Sequence, residues 1–173
     1  MMAPFETERL LLRELRPTDL DFVAAMMGND DVTRFYGRRF NRADAESWLT
    51  QQLERYRIDG HGLWLVLDRG AGTPLGQVGL MLQEVEGLEL PEIGWLLHRP
   101  FWGRGYATEA AAAVRDAAFT RWHYTTVISL IRPENTPSQR VAQRLGMRPR
   151  GMAHFEGFEH LVFEVAAPSG HSA

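Results

Sequence analysis

The sequence predicts a mixed α/β domain, a single sheet of antiparallel and parallel strands with helices on its faces. Three observations carry that prediction. Short apolar runs between Leu63 and Leu97 are separated by brief turns, the pattern of an antiparallel meander. From Glu92 to Leu145 the pattern becomes strand, helix, strand, helix, and two strands joined through a helix must lie parallel with a right-handed crossover. Finally, 173 residues with 45% hydrophobic and 24% charged side chains suffice for one domain, read here as residues 1–167, with a sizeable core.

The elements follow in order. Arg9 to Leu15 reads as a first strand, and Thr18-Asp19-Leu20-Asp21 resembles a capping box that opens a helix with Leu20, Val23, Ala24 and Met27 on one face. Asn41 is placed to cap a longer helix, whose stripe of Ala45, Trp48, Leu49, Gln52, Leu53 and Tyr56 runs until Gly60 stops it. Strands are expected at Leu63 to Asp68, Leu75 to Leu82 and, after Pro91, Glu92 to Leu97. A helix from about Thr108 to Arg121 follows, then a β-branched strand from Thr125 to Ile131 and a helix from about Asn135 to Leu145. Met147 to Phe155 and Glu159 to Ala166 form a closing hairpin around Gly157, and residues 168–173 read as a disordered tail.

Composition narrows the function. A formal net charge of −3 provides no general attraction for nucleic acid or anionic membranes. The absence of cysteine excludes disulfides, thiolate metal sites and a protein thiol as acyl carrier. The first residues lack a basic stretch followed by an apolar core, and no apolar run approaches the roughly 20 residues of a membrane span, so a cytoplasmic location is expected. The six histidines are scattered without an acid–histidine helix motif, so no metal is expected.

The most informative segment runs from Leu97 to Ala110, where an apolar run stops, Gly103 and Gly105 punctuate a turn, and an alanine-rich helix begins. Glycines permit a tight turn with exposed amides, and the positive end of the following helix favours an anion. The same spacing also suits a plain strand-to-helix connection. A dinucleotide fingerprint needs a third glycine where Thr108 stands and a ribose-binding acid about 20 residues on, and both are missing. No Gly-Lys followed by Ser or Thr marks a nucleotide triphosphate loop.

A second motif, Asn135-x-x-Ser138 ending in Leu145-Gly146-Met147, follows the parallel strand. With Glu6-Thr7-Glu8-Arg9-Leu10-Leu11-Leu12-Arg13 at the start and Trp102-Gly103-Arg104-Gly105-Tyr106-Ala107-Thr108-Glu109-Ala110 in the middle, the chain resembles the GCN5-related N-acetyltransferases. The nearer likeness is to the branch of ribosomal-protein and N-terminal alanine acetyltransferases. The resemblance implies a central, mostly antiparallel twisted sheet of about seven strands with a splayed parallel pair, flanked by about four helices. It also implies acetyl-CoA as donor, its pyrophosphate on the amides of Arg104, Gly105, Tyr106, Ala107 and Thr108. The pantetheine would lie along Trp95, Leu96 and Leu97, where Gly94 is expected to help the strand splay, and Asn135 would serve as cap, pantetheine ligand or both. Trp102 departs from the family's Gln or Arg at the first loop position.

Acetylating an amine requires a neutral nucleophile, a stabilised oxyanion and an acid or hydrogen-bond donor for the departing thiolate. Glu92 is the candidate base, at a strand position where the resemblance places acids, with His98, His154, His160 or a water chain as alternatives. Ala142 stands where many relatives carry an acidic tyrosine, so the resemblance leaves Ser138 as the hydrogen-bond donor to the sulfur. Without a protein thiol, direct transfer in a ternary complex is expected, and a non-catalytic CoA-binding sensor is the alternative. The acceptor would enter over the early helices, the segment from Met81 to Leu90 and the final hairpin, where Glu84, Glu86, Glu89, Glu156 and Glu159 offer negative charge. Phe35, Tyr36, Phe40 and Phe158, read as exposed, would mark an acceptor pocket or a homodimer interface.

Overall fold

A computed structural model describes residues 5–170; residues 1–4 and 171–173, including half of the tail read as disordered, lie outside the described residues. Eight strands form one sheet: β1 (Phe5–Glu6), β2 (Leu10–Glu14), β3 (Leu63–Asp68), β4 (Pro74–Val85), β5 (Leu88–Leu97), β6 (Thr126–Ile131), β7 (Arg148–Phe155) and β8 (Phe158–Ala166). Their spatial order is β1-β2-β3-β4-β5-β6-β8-β7. Every neighbouring pair is antiparallel except β5 and β6, which are parallel and meet at one residue pair, Glu92 with Ile128. The four α-helices are α1 (Leu20–Met27), α2 (Arg42–Asp59), α3 (Tyr106–Thr120) and α4 (Thr136–Arg144).

Strand alternation divides the core in two. On β3, Trp64 and Val66 join a large cluster with Ala110, Val114 and Ala118 of α3 and Ala142 of α4. Leu65 and Leu67 point the other way, toward Val23 and Met26 of α1 and Ala45 and Leu49 of α2. Both faces of β3 are therefore covered, which is why it reads as an unbroken apolar run rather than an alternating one. The buried alanines of α3 carry no bulk beyond Cβ, so the helix seats closely on the sheet.

Most elements match their sequence signals. Asn41 caps α2, its side chain accepting from the Asp44 amide, and Gly60 ends the helix in the left-handed region at φ 75°. Four local readings need correction. The cap before α1 is not built on Thr18 and Asp21: Asp19 accepts from the Arg16 amide at 2.7 Å while Arg13 grips the same carboxylate, and a short 3-10 turn precedes the helix. The sheet gains a strand, β1, ahead of the first one expected. Helix α3 begins at Tyr106, two residues earlier than read, because Gly105 supplies its cap.

The fourth correction concerns β5, which starts at Leu88 after a two-residue turn of Glu86 and Gly87, both at positive φ, and runs straight through Pro91. Proline is tolerated there because residues of its parity turn their backbone away from β4, as the Ile93 carbonyl does in accepting Ser129 Oγ, so no β4 ladder bond is lost. The departure of β5 from β6 needs no bulge at Gly94, where the register with β4 continues unbroken. A Cβ there would lie 2.8 Å from Met81 Cε, the mobile end of a side chain that can move aside, so glycine eases the packing at this position.

Candidate active site

Beyond Glu92 the two parallel strands part, and the C-terminal half of β5 keeps a ladder partner only in β4. The Ile93 carbonyl faces β6, and that of Leu97 faces the Trp102 indole, which donates to it at 2.9 Å. By alternation the Trp95 amide and carbonyl share this open side, whereas Leu96 turns its backbone to β4. Of the three residues read as a pseudo-strand for pantetheine, Trp95 and Leu97 thus have the required orientation and Leu96 does not. Trp102 has a structural task of its own, folding the loop back onto the strand end.

At the end of β5 the chain enters the glycine loop. Gly103 at φ 74° and Gly105 at φ 79° both occupy the left-handed region. Gly105 is the cap of α3, and the amides of Tyr106, Ala107 and Thr108 in the first turn have no acceptor within the helix. They form a concentrated patch of positive dipole at the mouth of the wedge.

The turn between β1 and β2 braces this loop, a link that local sequence reading missed. Glu109, in the first turn of α3, accepts from Thr7 Oγ1 at 2.6 Å, from the Arg9 amide at 2.9 Å and from Arg9 Nε at 2.6 Å. Arg9 also donates to the Arg104 carbonyl at 2.9 Å and lies over the Tyr106 ring at 4.6 Å. Partial burial would raise the Glu109 carboxyl, but the bonds from Thr7 and Arg9 outweigh it and hold it below the usual range. Thr7, Arg9 and Glu109 all stand in segments quoted for the family likeness, so that likeness was the available signal.

On the α3–α4 side of the wedge, the Asn135 side chain caps α4 by accepting from the Ser138 amide at 3.2 Å. The Trp95 indole reaches across to donate to Ser138 Oγ at 3.2 Å. Ala142 is fully buried in the main core, so a tyrosine ring could not occupy that position without displacing its neighbours.

Glu92 lies on the opposite face, where the strands part. It is 7% exposed, its Oε1 accepting from Gln83 at 3.1 Å and its Oε2 from the Leu130 amide at 2.9 Å. The carboxylate, rather than a β5 carbonyl, takes that β6 amide. Arg55 donates to Gln83 Oε1 at 3.5 Å, which turns the Gln83 amide nitrogen toward Glu92. Burial pushes the Glu92 carboxyl up to about 7, against the two hydrogen bonds, with the nearby Glu156 charge adding to the rise.

The other candidates disperse. His98 packs edge-on to Phe22, His154 is exposed, and His160 lies against Phe155; burial lowers the pKa of His98 and His160. Neither oxygen of Glu92 is held by a histidine. Glu86 accepts from the His154 amide at 3.1 Å, tying the β4–β5 turn to β7. The aromatics read as exposed are half-buried: Tyr36 and Phe40 pack edge-on to each other and to Trp48, and Phe158 lies under the Arg132 guanidinium. They close the space between the 36–40 loop, α2 and the β7–β8 turn. Among the described residues no three His, Asp or Glu side chains gather as a metal site, and no helix is long and apolar enough to cross a membrane.

Comparison with known proteins agrees with this geometry. Residues 9–148 match the family profile described as an acetyltransferase (GNAT) domain. The Bacillus subtilis (strain 168) protein YkkB is 33% identical over 142 residues, 82% of this chain and 83% of its own. The crystal structure of an acetyltransferase from Agrobacterium tumefaciens str. C58 superimposes with a TM-score of 0.84 at 28% identity, covering 96% of each chain. RimL, a ribosomal L7/L12 alpha-N-protein acetyltransferase in complex with coenzyme A, shares the fold at 13% identity with a TM-score of 0.76, covering 92% of this chain and 95% of its own. A parallel pair that parts beside a glycine-capped helix, a profile match across most of the chain and these relatives lead to one conclusion: the chain belongs to the GNAT family and is an N-acetyltransferase.

Proposed function

We propose that this enzyme, a single catalytic domain of the cytoplasm, transfers an acetyl group directly from acetyl-CoA to a primary amine while both substrates are bound. The observation that carries this reading is Glu92, a buried carboxyl with a pKa of about 7 standing where β5 and β6 part. An ordinary primary amine is protonated at neutral pH, and a base of matched pKa in the gap between the strands is suited to remove its proton.

The residues divide the work by face. The Arg104–Thr108 amides hold the pyrophosphate and the open edge at Trp95 and Leu97 pairs with pantetheine amides, bringing the thioester between Glu92 on one face and Ser138 on the other. Asn135 acts through its cap on Ser138 rather than on the pantetheine. One ammonium proton passes to Glu92; the neutral nitrogen then forms its bond to the carbonyl carbon as the carbon–sulfur bond breaks, the thiolate leaves against a hydrogen bond donated by Ser138, and the second nitrogen proton neutralises it through solvent. Gly105 supports the seating of the pyrophosphate, since its φ of 79° favours a residue without Cβ and leads straight into the unpaired first-turn amides of α3.

The acceptor reaches the gap from the α1–α2 side, past Tyr36, Trp48 and the β7–β8 turn. The ribosomal-protein acetyltransferases among the structural neighbours make protein N-termini the first amines to try. The test is release of free CoA from acetyl-CoA across a panel of peptide N-termini, amino acids, polyamines and aminoglycosides. Turnover on one class supports the reading; tight CoA binding with no turnover on any amine rejects it in favour of a sensor.

A further inference from the structure

Ser138 sits in the first turn of α4 with its hydrogen-bonding options already constrained. Its amide is spent on Asn135 Oδ1. Its hydroxyl makes no bond to the carbonyls a first-turn serine ordinarily reaches, three and four residues back; those of Asn135 and Glu134 accept from the Gln139 amide at 3.2 Å and the Thr136 amide at 3.0 Å. Its oxygen receives the Trp95 indole N–H at 3.2 Å. An indole nitrogen can only donate, so in this pair the serine oxygen is the acceptor and its own hydrogen is left for another partner. Trp95 belongs to the strand whose free edge lines the wedge, and its ring packs against the main core, which holds the indole in place.

We propose that Trp95 is a positioning residue: its N–H engages the Ser138 oxygen from one side and so commits the hydroxyl hydrogen to the sulfur side of the wedge. This rests on the proposed seating of acetyl-CoA and extends it, because it explains how a hydroxyl of ordinary acidity, in the absence of the tyrosine, serves the leaving group. The indole polarises the O–H as well as aiming it, since a hydroxyl that accepts a hydrogen bond donates a stronger one. No proton needs to leave Ser138; the hydrogen bond it donates lowers the basicity of the thiolate.

The test needs no acceptor. The thiol of bound CoA is titrated by its thiolate ultraviolet absorbance in the wild type, Trp95→Phe, Ser138→Ala and the double variant, with CoA binding measured by calorimetry and folding by circular dichroism. The expected result is a thiol-to-thiolate constant lowered about tenfold by either single change and no further by the double change. If Ser138→Ala shifts the titration and Trp95→Phe does not, Trp95 has no positioning role. If neither shifts it although CoA binds, both the inference and the assignment of Ser138 to the sulfur fall while the cofactor assignment stands. If the wild type fails to bind CoA, the proposed function falls first. Trp95→Tyr, which keeps a ring but places its hydroxyl elsewhere, is read in the same way should Trp95→Phe not fold.

Discussion

The two faces of the sheet are built on different principles, and the difference decides what each can tolerate. On the α3–α4 face the proposed cofactor cradle is made of backbone: amides at a helix start, two positive-φ glycines and the free edge of β5. On the α1–α2 face the proposed chemistry is made of side chains, with Glu92 held by Gln83 and a β6 amide, and Tyr36, Phe40 and Trp48 packed edge-on to one another on the same side of the sheet. A backbone site accepts nearly any side chain that leaves the conformation alone, which is how Trp102 and Arg104 fit a loop defined by its glycines. A side-chain site depends on the identity of each member.

That contrast breaks most visibly at Glu92. Glu92→Gln is expected to lower turnover about 10²–10³-fold near pH 8 with the KM for acetyl-CoA little changed. With the Glu92 carboxylate as base, the wild-type rate is expected to climb as pH rises through about 7 and then level off. A variant whose pH–rate profile matches the wild type would remove Glu92 from the role of base. The mirror-image experiment is Gly105→Val, which forces a β-branched residue to φ 79° with its Cβ 3.4 Å from Arg9 Nη2. It is expected to weaken CoA binding about tenfold to a hundredfold by calorimetry. Unchanged affinity would mean that the loop is only a connection.

Smaller effects sharpen the comparison. Ala142→Tyr, an attempt to restore the missing acid, is expected to cost about 1–3 kcal/mol in denaturant unfolding and to raise no activity, because the position is fully buried. Glu109→Gln should destabilise the protein by about 1 kcal/mol and weaken CoA binding a few-fold through the loosened loop. Glu92 adds a pH signature to stability. Its folded pKa is raised, so the folded state holds a proton that the unfolded chain has released between its usual value and about 7. Wild-type stability should therefore fall relative to Glu92→Gln across that window in paired melts at pH 5 and pH 8.

Several local signals were legible because a residue's conformation there depends on its immediate neighbours, although the cap before α1 was misplaced, read at Thr18 and Asp21 where Arg16 and Asp19 form it. Asn41, Gly60, Asn135 and the Gly103–Gly105 pair all act within a turn of where they stand. The β4–β5 turn went unread because Glu86, not a glycine, takes its first positive-φ position and Pro91 suggested a break. Bonds between distant elements were not legible at all: Arg9 meets Glu109 across 100 residues and Trp95 meets Ser138 across 43. The hairpin of β7 and β8 was foreseen, but not that β8 would lie between β6 and β7.

By itself the sequence determined the alternation of strands and helices, the parallel crossover, the glycine turn ahead of α3 and the absence of a thiol, since each follows from local stereochemistry, periodicity or composition. Only the tertiary structure decided that β5 and β6 meet at a single pair and then part, that Glu92 is buried at the parting while Ser138 is bonded to Trp95, and that Ala142 lies in the core. Those facts depend on which strands become neighbours, and an electrostatic environment exists only once distant segments have excluded water from it.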